Sequence, residues 1–261
     1  MTIVTIVLAW TALCVLAWVY QDRLIFYPGP PPASTPQSVG LEFETVSMSA
    51  ADGVQLHGWW IPASNATRAV LVCHGNAGSV EGRLDLAALF HAWGWSTLLF
   101  DYRGYGSSAG HPSVAGVALD ADAAYDWLAA RAPGLPIIAW GESLGGGVAA
   151  GLSLRRTVAA LVLESTFSSL AAVGRGAYPF LPVATILKRD LDTRAAVSQT
   201  TAPVFILHGK QDATVPFAHS KLLIEAARGR KEHCEFQGGH NGRGWAGDPA
   251  AVEKLRRFLA Q

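Results

Sequence analysis

Residues 136–152 read PIIAWGESLGGGVAAGL, and this stretch decides the fold of the 261-residue chain. A short apolar run ends at Trp140, and a segment typical of a buried helix begins at Leu144. Between them lies a GxSxG motif, whose small residues permit the sharp strand-to-helix turn that exposes a serine hydroxyl. The stretch therefore predicts a nucleophile, Ser143, at the amino end of a helix whose dipole points at the reacting centre.

Strand-like and helix-like segments alternate along the rest of the chain. The predicted strands are Val54–Ile61, Ala69–Val72, Thr97–Phe100, Ile137–Trp140, Leu161–Leu163, Val204–Leu207 and Cys234–Phe236. The predicted helices are Leu84–Trp93, Val114–Arg131, Leu144–Leu154, Phe217–Arg228 and Pro249–Leu259. Because most of these strands are short apolar runs, the pattern indicates an α/β fold with a mostly parallel sheet covered by helices on both faces. Ligands are expected beyond the carboxyl ends of the strands.

Two further residues that suit a serine nucleophile follow later strands. A serine hydroxyl is a weak nucleophile, so it needs a base and a group that fixes the tautomer of that base. Asp212 follows the strand VFIL, and His240 follows the strand at Cys234–Phe236. The order Ser143, Asp212, His240 predicts a catalytic triad in which His240 is the base and Asp212 orients it.

The tetrahedral intermediate of acyl transfer also needs donors for its oxyanion. The backbone N–H of Leu144, directly after the nucleophile, is the first expected donor. The loop HGNAG (74–78) follows the strand AVLVC, and its glycines let the backbone turn an N–H toward the serine. We predict Asn76 as the second donor, with Ala77 as the alternative. No GK[ST] ends this loop, so a phosphate loop is not indicated.

Together, the motifs HGNAG, DYRGYG (101–106), GESLGG (141–146), HGKQD (208–212) and GGHN (238–241) resemble the α/β-hydrolase family, and within it the membrane-anchored members. The resemblance runs from about Leu24 to the end. It implies a sheet of about eight strands, a triad on Ser143, Asp212 and His240, and a small lid at about 167–192. It also makes DYRGYG a structural loop, in which Asp101 and Arg103 are expected to bond to backbone groups and to each other.

The expected reaction is hydrolysis of carboxylic esters or thioesters through an acyl-enzyme, with no metal or organic cofactor. The aromatic and proline residues of the lid segment favour an apolar, lipid-like acyl group. Two alternatives stay open: a serine peptidase that uses the same triad, and a catalytically silent membrane scaffold that keeps the fold.

The first residues predict a membrane anchor. Residues 1–21 contain no charged side chain and are long enough to cross a hydrocarbon core of about 30 Å. Trp18 and Tyr20, just before Asp22 and Arg23, mark the expected boundary. A cleaved signal peptide is the alternative, although a basic amino-terminal region and a small-x-small cleavage site are missing. The predicted division is an anchor at 1–21, a proline-rich linker at 22–40 and a hydrolase domain at 41–261.

Charge and cysteine content exclude other classes. Twenty basic residues balance twenty acidic ones and no basic run of five or more occurs, so a nucleic-acid partner is not expected. The three cysteines, Cys14, Cys73 and Cys234, lie far apart and indicate neither a zinc site nor a disulfide framework. The expected partners are a small-molecule or lipid-like acyl ester and a membrane; the side of the membrane and the oligomeric state stay open.

Overall fold

The structure is a computed structural model that describes residues 2–261. Its strands, in chain order, are β1 (Tyr27–Pro28), β2 (Glu44–Ser49), β3 (Gln55–Ile61), β4 (Arg68–Cys73), β5 (Ala77–Gly78), β6 (Trp95–Phe100), β7 (Ile137–Glu142), β8 (Ala160–Glu164), β9 (Val204–Gly209) and β10 (Lys231–Phe236). Eight of them form one sheet in the order β10-β9-β8-β7-β4-β6-β3-β2, and β1 pairs separately with β5. Within the large sheet, β3 runs antiparallel to β2 and β6, and the other pairs are parallel.

Helices cover both faces of this sheet. In chain order they are α1 (Ile3–Ile25), α2 (Leu84–Ala92), α3 (Val114–Arg131), α4 (Leu144–Leu152), α5 (Leu170–Ala177), α6 (Val183–Ile186), α7 (Thr193–Gln199), α8 (Ala218–Ala226) and α9 (Pro249–Ala260). Short 3₁₀ turns lie at Pro36–Val39, Val80–Arg83 and Gly244–Gly247. One apolar core lies between the sheet and α3, α4, α7 and α8, and a second lies between the sheet and α2 and α9. The predicted α/β class and eight-stranded sheet are confirmed.

The central strand β7 delivers the GxSxG motif. It lies between β4 and β8, so the turn after it opens at the middle of the carboxyl edge of the sheet. Helix α4 can follow at once because glycine occupies its first turn: a Cβ on Gly145 would overlap the carbonyl oxygen of Cys73 at the end of β4. The close contact between α4 and the sheet therefore depends on the absence of a side chain at this position.

The segment predicted as a linker, 22–40, lies against the loops that follow β4. Helix α1 continues to Ile25, and the chain then enters β1, where Tyr27 N–H donates to the carbonyl of Asn76 at 2.8 Å. Further along, the N–H groups of Ala33 and Ser34 donate to the carboxylate of Glu81 at 3.0 and 2.9 Å. The proline-rich segment begins inside α1 and ends in the 3₁₀ turn Pro36–Val39, and hydrogen bonds hold it on the surface of the fold.

Candidate active site

Ser143 occupies a strained turn between β7 and α4. Its backbone has φ 52° and ψ −116°. This conformation is unfavourable for any residue that has a side chain, so the surrounding structure must stabilise it. The end of β8 provides this support: Ser143 N–H donates to the carbonyl of Glu164 at 2.9 Å, and the hydroxyl of Thr166 donates to the carbonyl of Ser143 at 2.6 Å. The hydroxyl group of Ser143 is thereby presented at the carboxyl edge of the sheet.

The three residues predicted as a triad come together there. His240 Nε2 lies 3.0 Å from Ser143 Oγ, and His240 Nδ1 lies 2.7 Å from Asp212 Oδ2. Asp212 follows β9 and His240 follows β10, so three separate strand ends supply the three side chains. Both distances allow hydrogen bonds, the arrangement that transfer of a proton from serine to imidazole requires.

Asp212 is buried and held from several sides. Its Oδ1 accepts hydrogen bonds from the N–H groups of Thr214 and Val215 at 2.9 and 2.7 Å. Nε2 of the buried His208 lies 3.3 Å from Oδ2, the oxygen that His240 also contacts. Although burial raises the pKa of Asp212, the hydrogen bonds from His208, His240 and Val215 hold it well below its usual range. These hydrogen bonds therefore favour the ionised form of the carboxylate.

The HGNAG loop is held beside Ser143 by bonds to the amino-terminal segment. The Asn76 carbonyl accepts hydrogen bonds from Tyr27 N–H at 2.8 Å and from the Tyr105 hydroxyl at 2.7 Å. The Asn76 side chain donates to the carbonyl of Ile25 at 3.0 Å. The bonds to the Asn76 carbonyl fix the peptide group that carries the N–H of Ala77, the alternative predicted donor, and the side-chain bond holds Asn76 itself in place.

Leu144, the other predicted donor, is the first residue of α4, where a backbone N–H has no acceptor within the helix. Ser143 and Asn76 border the same two cavities, and Leu144 lines one of them. The oxyanion roles of Leu144, Asn76 and Ala77 stay predictions.

One expectation for the DYRGYG loop was wrong: Asp101 and Arg103 do not pair with each other. Asp101 Oδ1 accepts a hydrogen bond from Val80 N–H at 2.8 Å. Arg103 instead pairs with Asp120 at 2.8 Å and with Asp52 at 2.6 Å. Asp101 points toward the segment after HGNAG, and Arg103 points toward α3. The expected structural role is fulfilled, but with other partners.

A charged network that the sequence did not reveal borders Ser143 on one side. Glu142 pairs with Arg83 and with Arg243, each at 2.7 Å, and Arg243 also pairs with Asp85 at 2.8 Å. Burial raises the pKa of Glu142, but the two guanidinium groups outweigh this effect and hold it below its usual value. The two arginines come from distant loops, so no local pattern could have predicted their contact.

Glu164, which is buried next to Arg243, is a further member of this network. Its two carboxyl oxygens accept hydrogen bonds from the indole N–H groups of Trp140, at 3.0 Å, and of Trp245, at 2.6 Å. Full burial raises the pKa of Glu164. The residue therefore ties the end of β8 to β7 and to the segment after His240.

Two cavities of different character meet at Ser143. The first, of about 350 Å³, is mainly apolar and borders α5 and α6, in the segment predicted as a lid; its lining includes Phe167, Tyr178 and Leu181. Its opposite wall is α1, through Ala17, Gln21, Leu24 and Ile25. The second, of about 390 Å³, is polar and is lined by the charged network and by His240. Both volumes lie in the range of small-molecule sites.

Comparison with known proteins places the chain in a family. The sequence model of a family described as "Serine aminopeptidase, S33" matches residues 64–191, just under half of the chain, which includes Ser143 but neither Asp212 nor His240. An uncharacterized protein of Mycobacterium tuberculosis is 40% identical over 249 residues, covering 94% of this chain and 89% of the relative. An "uncharacterized membrane protein" of Saccharomyces cerevisiae is 30% identical, covering 85% of this chain and 83% of the relative.

Two further likenesses identify the fold and the family. The esterase Pf2001 of Pyrococcus furiosus superposes with a TM-score of 0.76 at 23% identity, covering 90% of this chain and 97% of the esterase, which shows a shared fold. The "alpha/beta hydrolase domain-containing protein WAV2" of Arabidopsis thaliana is 32% identical over 256 residues, covering 88% of this chain and 82% of the relative. With nearly its whole length shared with such relatives, this chain belongs to the α/β-hydrolase family.

Proposed function

We propose that the protein is a serine hydrolase that cleaves carboxylic esters or thioesters through an acyl-enzyme on Ser143. Membership of the family supports hydrolase activity. The observation that carries the proposal is the pair of contacts at the carboxyl edge of the sheet: Ser143 Oγ at 3.0 Å from His240 Nε2, and His240 Nδ1 at 2.7 Å from Asp212. These contacts occur where an apolar and a polar cavity meet, so a substrate with both kinds of group can reach the serine.

The proposed reaction has two steps. Ser143 Oγ attacks the carbonyl carbon while His240 Nε2 takes the hydroxyl proton, and the N–H groups of Leu144 and Asn76 stabilise the oxyanion. The tetrahedral intermediate expels the alcohol or thiol, which receives the proton from His240. A water molecule then attacks the acyl-enzyme with His240 again as base, the acid is released, and Ser143 recovers its proton. Throughout, Asp212 stabilises the imidazolium form of His240.

The two cavities support one orientation of the substrate. An apolar acyl chain loses contact with water most completely between the lid and α1, where apolar side chains predominate. The leaving group then occupies the polar cavity next to Arg83 and Arg243. We therefore propose a substrate with an apolar acyl part and a polar alcohol or thiol part.

We further propose that α1 is retained as the membrane anchor of the division 1–21, 22–40 and 41–261, with a lid at about 167–192. The helix has 23 residues and a mean hydropathy of 2.3 in its most apolar window, which suits a membrane span. Cleavage after residue 21 would remove Ala17 and Gln21 from the wall of the apolar cavity. A cleaved leader would thus leave the cavity open, and this favours retention of the helix.

The proposed function is tested by labelling the detergent-solubilised full chain with a fluorophosphonate, followed by peptide mass spectrometry. We expect one modified residue, Ser143, and loss of labelling in His240→Ala, because the unassisted hydroxyl is a weak nucleophile. Turnover of p-nitrophenyl esters and of the matching thioesters of increasing acyl length then identifies the preferred acyl group. Absence of labelling in folded protein would contradict the mechanism and favour a silent scaffold.

A peptidase is the competing activity, because the matched family description names a serine aminopeptidase. A site for a peptide amino terminus needs a carboxylate that is available to the ammonium group. The two carboxylates that line the polar cavity are already bonded, Glu142 to two arginines and Glu164 to two indoles. Aminoacyl p-nitroanilides should therefore be poor substrates; faster turnover of these than of esters would favour the peptidase.

Substitution of Ala17 by Phe should shift the preference to shorter acyl groups. Ala17 is buried in the cavity wall, and a phenyl ring there takes the space of part of an acyl chain. We expect the ratio of p-nitrophenyl palmitate to p-nitrophenyl butyrate turnover to fall by about tenfold, as overpacking of a filled site would cause. The measurement is kcat/KM for both esters in one detergent.

The matched control is Ala12→Phe, which makes the same change on the same helix. Ala12 is exposed and lies about 140° around the helix from Ala17, away from the cavity. Its ratio should stay at the wild-type value. If Ala17→Phe also leaves the ratio unchanged, the acyl chain does not occupy this cavity.

A further inference from the structure

The lid lies along α1 for a long distance. At one end, the Trp10 indole N–H donates to the carbonyl of Phe180 at 3.0 Å. At the other end, the Gln21 side chain donates to the carbonyl of Ile186 at 3.3 Å and accepts from Lys188 N–H at 2.9 Å. Trp10 and Gln21 are separated by about 16 Å along the helix axis. The lid therefore flanks about half the length of a helix that is about 34 Å long.

The part of the lid in this contact is free of charge. Residues 176–187 read GAYPFLPVATIL and contain no acid, base or histidine. Charge resumes at Lys188, whose ammonium nitrogen lies 4.8 Å from the centre of the Trp18 ring. On α1, charge resumes at Asp22, one turn further along. Helix and lid thus change from uncharged to charged at the same level, as segments do at a membrane surface.

The outer surface formed by these two segments is apolar. Phe180 is 58% exposed and Tyr178 is 37% exposed, and the carbonyl of Phe180 bonds to the indole of Trp10 on α1, which is itself 46% exposed. Only 6% of the most apolar window of α1 is buried by the protein. A continuous apolar surface of this kind is stable when another apolar phase covers it. Hydrocarbon is the covering that the length of α1 indicates.

We propose that residues 176–187 of the lid enter the nearer leaflet of the bilayer beside α1, and that the acyl substrate is a membrane lipid whose chain passes from that leaflet into the apolar cavity. The proposal rests on the proposed ester hydrolysis at Ser143 and on α1 as a membrane span. Since the hydrocarbon core is about 30 Å thick, a lid that reaches about 16 Å along the helix extends through roughly one leaflet. Tyr178 of the lid lines the apolar cavity and is 37% exposed, so the cavity reaches the apolar outer surface of the lid.

The experiment uses the full chain in phosphatidylcholine vesicles and two esters that release the same chromophore. One is p-nitrophenyl butyrate, supplied from water, and the other is p-nitrophenyl palmitate, dissolved in the vesicles. The variant is Phe180→Glu, since Phe180 does not line the cavity and a carboxylate there opposes entry of the lid into hydrocarbon. We expect palmitate turnover to fall by about tenfold or more and butyrate turnover to stay at the wild-type level.

The matched control is Leu154→Glu, which places the same charge on an exposed leucine beyond the far end of α4. It should leave both rates unchanged. Wild-type palmitate turnover in Phe180→Glu would overturn the proposal. If Phe180→Glu loses both activities through misfolding, Ala184→Glu, on an exposed position of α6, replaces it with the same expected result. If the wild-type protein hydrolyses neither the butyrate nor the palmitate ester, the proposed function is wrong, and the lid proposal, which rests on it, is wrong as well.

Discussion

Ser143→Ala is expected to lower kcat for the best ester substrate by about five to six orders of magnitude, with the fold intact. Alanine removes the oxygen that lies 3.0 Å from His240 Nε2 and leaves His240 with no hydroxyl to deprotonate. The fold should survive because the bonds that support the turn, to Glu164 and from Thr166, involve only the backbone of Ser143. The measurement is steady-state turnover of the preferred p-nitrophenyl ester, with circular dichroism as the test of folding.

Ser153→Ala is the matched control, because it makes the same change at the opposite end of α4. The Ser153 hydroxyl bonds only to the carbonyl of Ala150, far from the carboxyl edge of the sheet. Its turnover should stay close to that of the wild type. Residual activity of a few per cent in Ser143→Ala would show that another group carries the reaction.

Asp212→Asn is expected to lower kcat by about ten thousandfold through the tautomer of His240. Oδ1 accepts two backbone hydrogen bonds, from Thr214 and Val215, so the amide oxygen must occupy that position. The amide NH₂ then replaces Oδ2, 2.7 Å from His240 Nδ1, and donates to this nitrogen. The proton of the neutral ring moves to Nε2, which can no longer accept a proton from Ser143.

The control for this change is Asp248→Asn at the start of α9. Asp248 caps the helix by accepting hydrogen bonds from Ala250 and Ala251, and asparagine caps a helix about equally well. Its kcat should be unchanged. Equal activity of Asp212→Asn and wild type would mean that Asp212 does not orient the base.

The central strands of the sheet could be predicted because the burial of each strand determines its own sequence. The strands at Val70, Ile138 and Ile206 are buried on both faces, and such strands must be continuous apolar runs. Two glycines after Ser143 are similarly dictated by close contacts of α4: a Cβ on Gly145 would overlap Cys73 of β4, and one on Gly146 would overlap Thr166. Where the burial of a segment determines which residue types it can contain, the sequence alone is enough to predict the structure of that segment.

Strand β2 was not predicted, although its sequence contains a signal. Its burial alternates, with Val46 and Met48 inward and their neighbours exposed, as expected of an edge strand. The segment is short and rich in serine and threonine, so this alternation is weak beside the apolar runs of the central strands. The short helices α5 and α6 were not predicted because their order depends on contacts with each other and with α1, and α7 was not predicted because its order depends on contacts with α4 and α8.

The proximity of Ser143, Asp212 and His240 follows from the topology, since each lies after a strand of one sheet. The charged network does not follow in the same way. Arg83 and Arg243 reach Glu142 from loops that are far apart in the sequence, and a pair of this kind leaves no periodic pattern. The position of α1 in the cavity wall was missed for a related reason. A helix that is apolar on all sides has no polar face, so its sequence does not show which residues contact the rest of the protein. Gln21, near the charged end, is a polar residue that indicates such a contact.

The pairing of β1 with β5 connects the amino-terminal segment directly to the loop beside Ser143. Tyr27 N–H and the carbonyl of Ile25 both bond to Asn76, so the loop proposed to bind the oxyanion is completed by residues from before the catalytic domain. A truncated version that begins at residue 41 would keep every predicted catalytic residue and yet lose two of the bonds that immobilise this loop. Replacing the amino-terminal segment by an unrelated sequence would therefore remove these bonds and make the loop beside Ser143 less rigid.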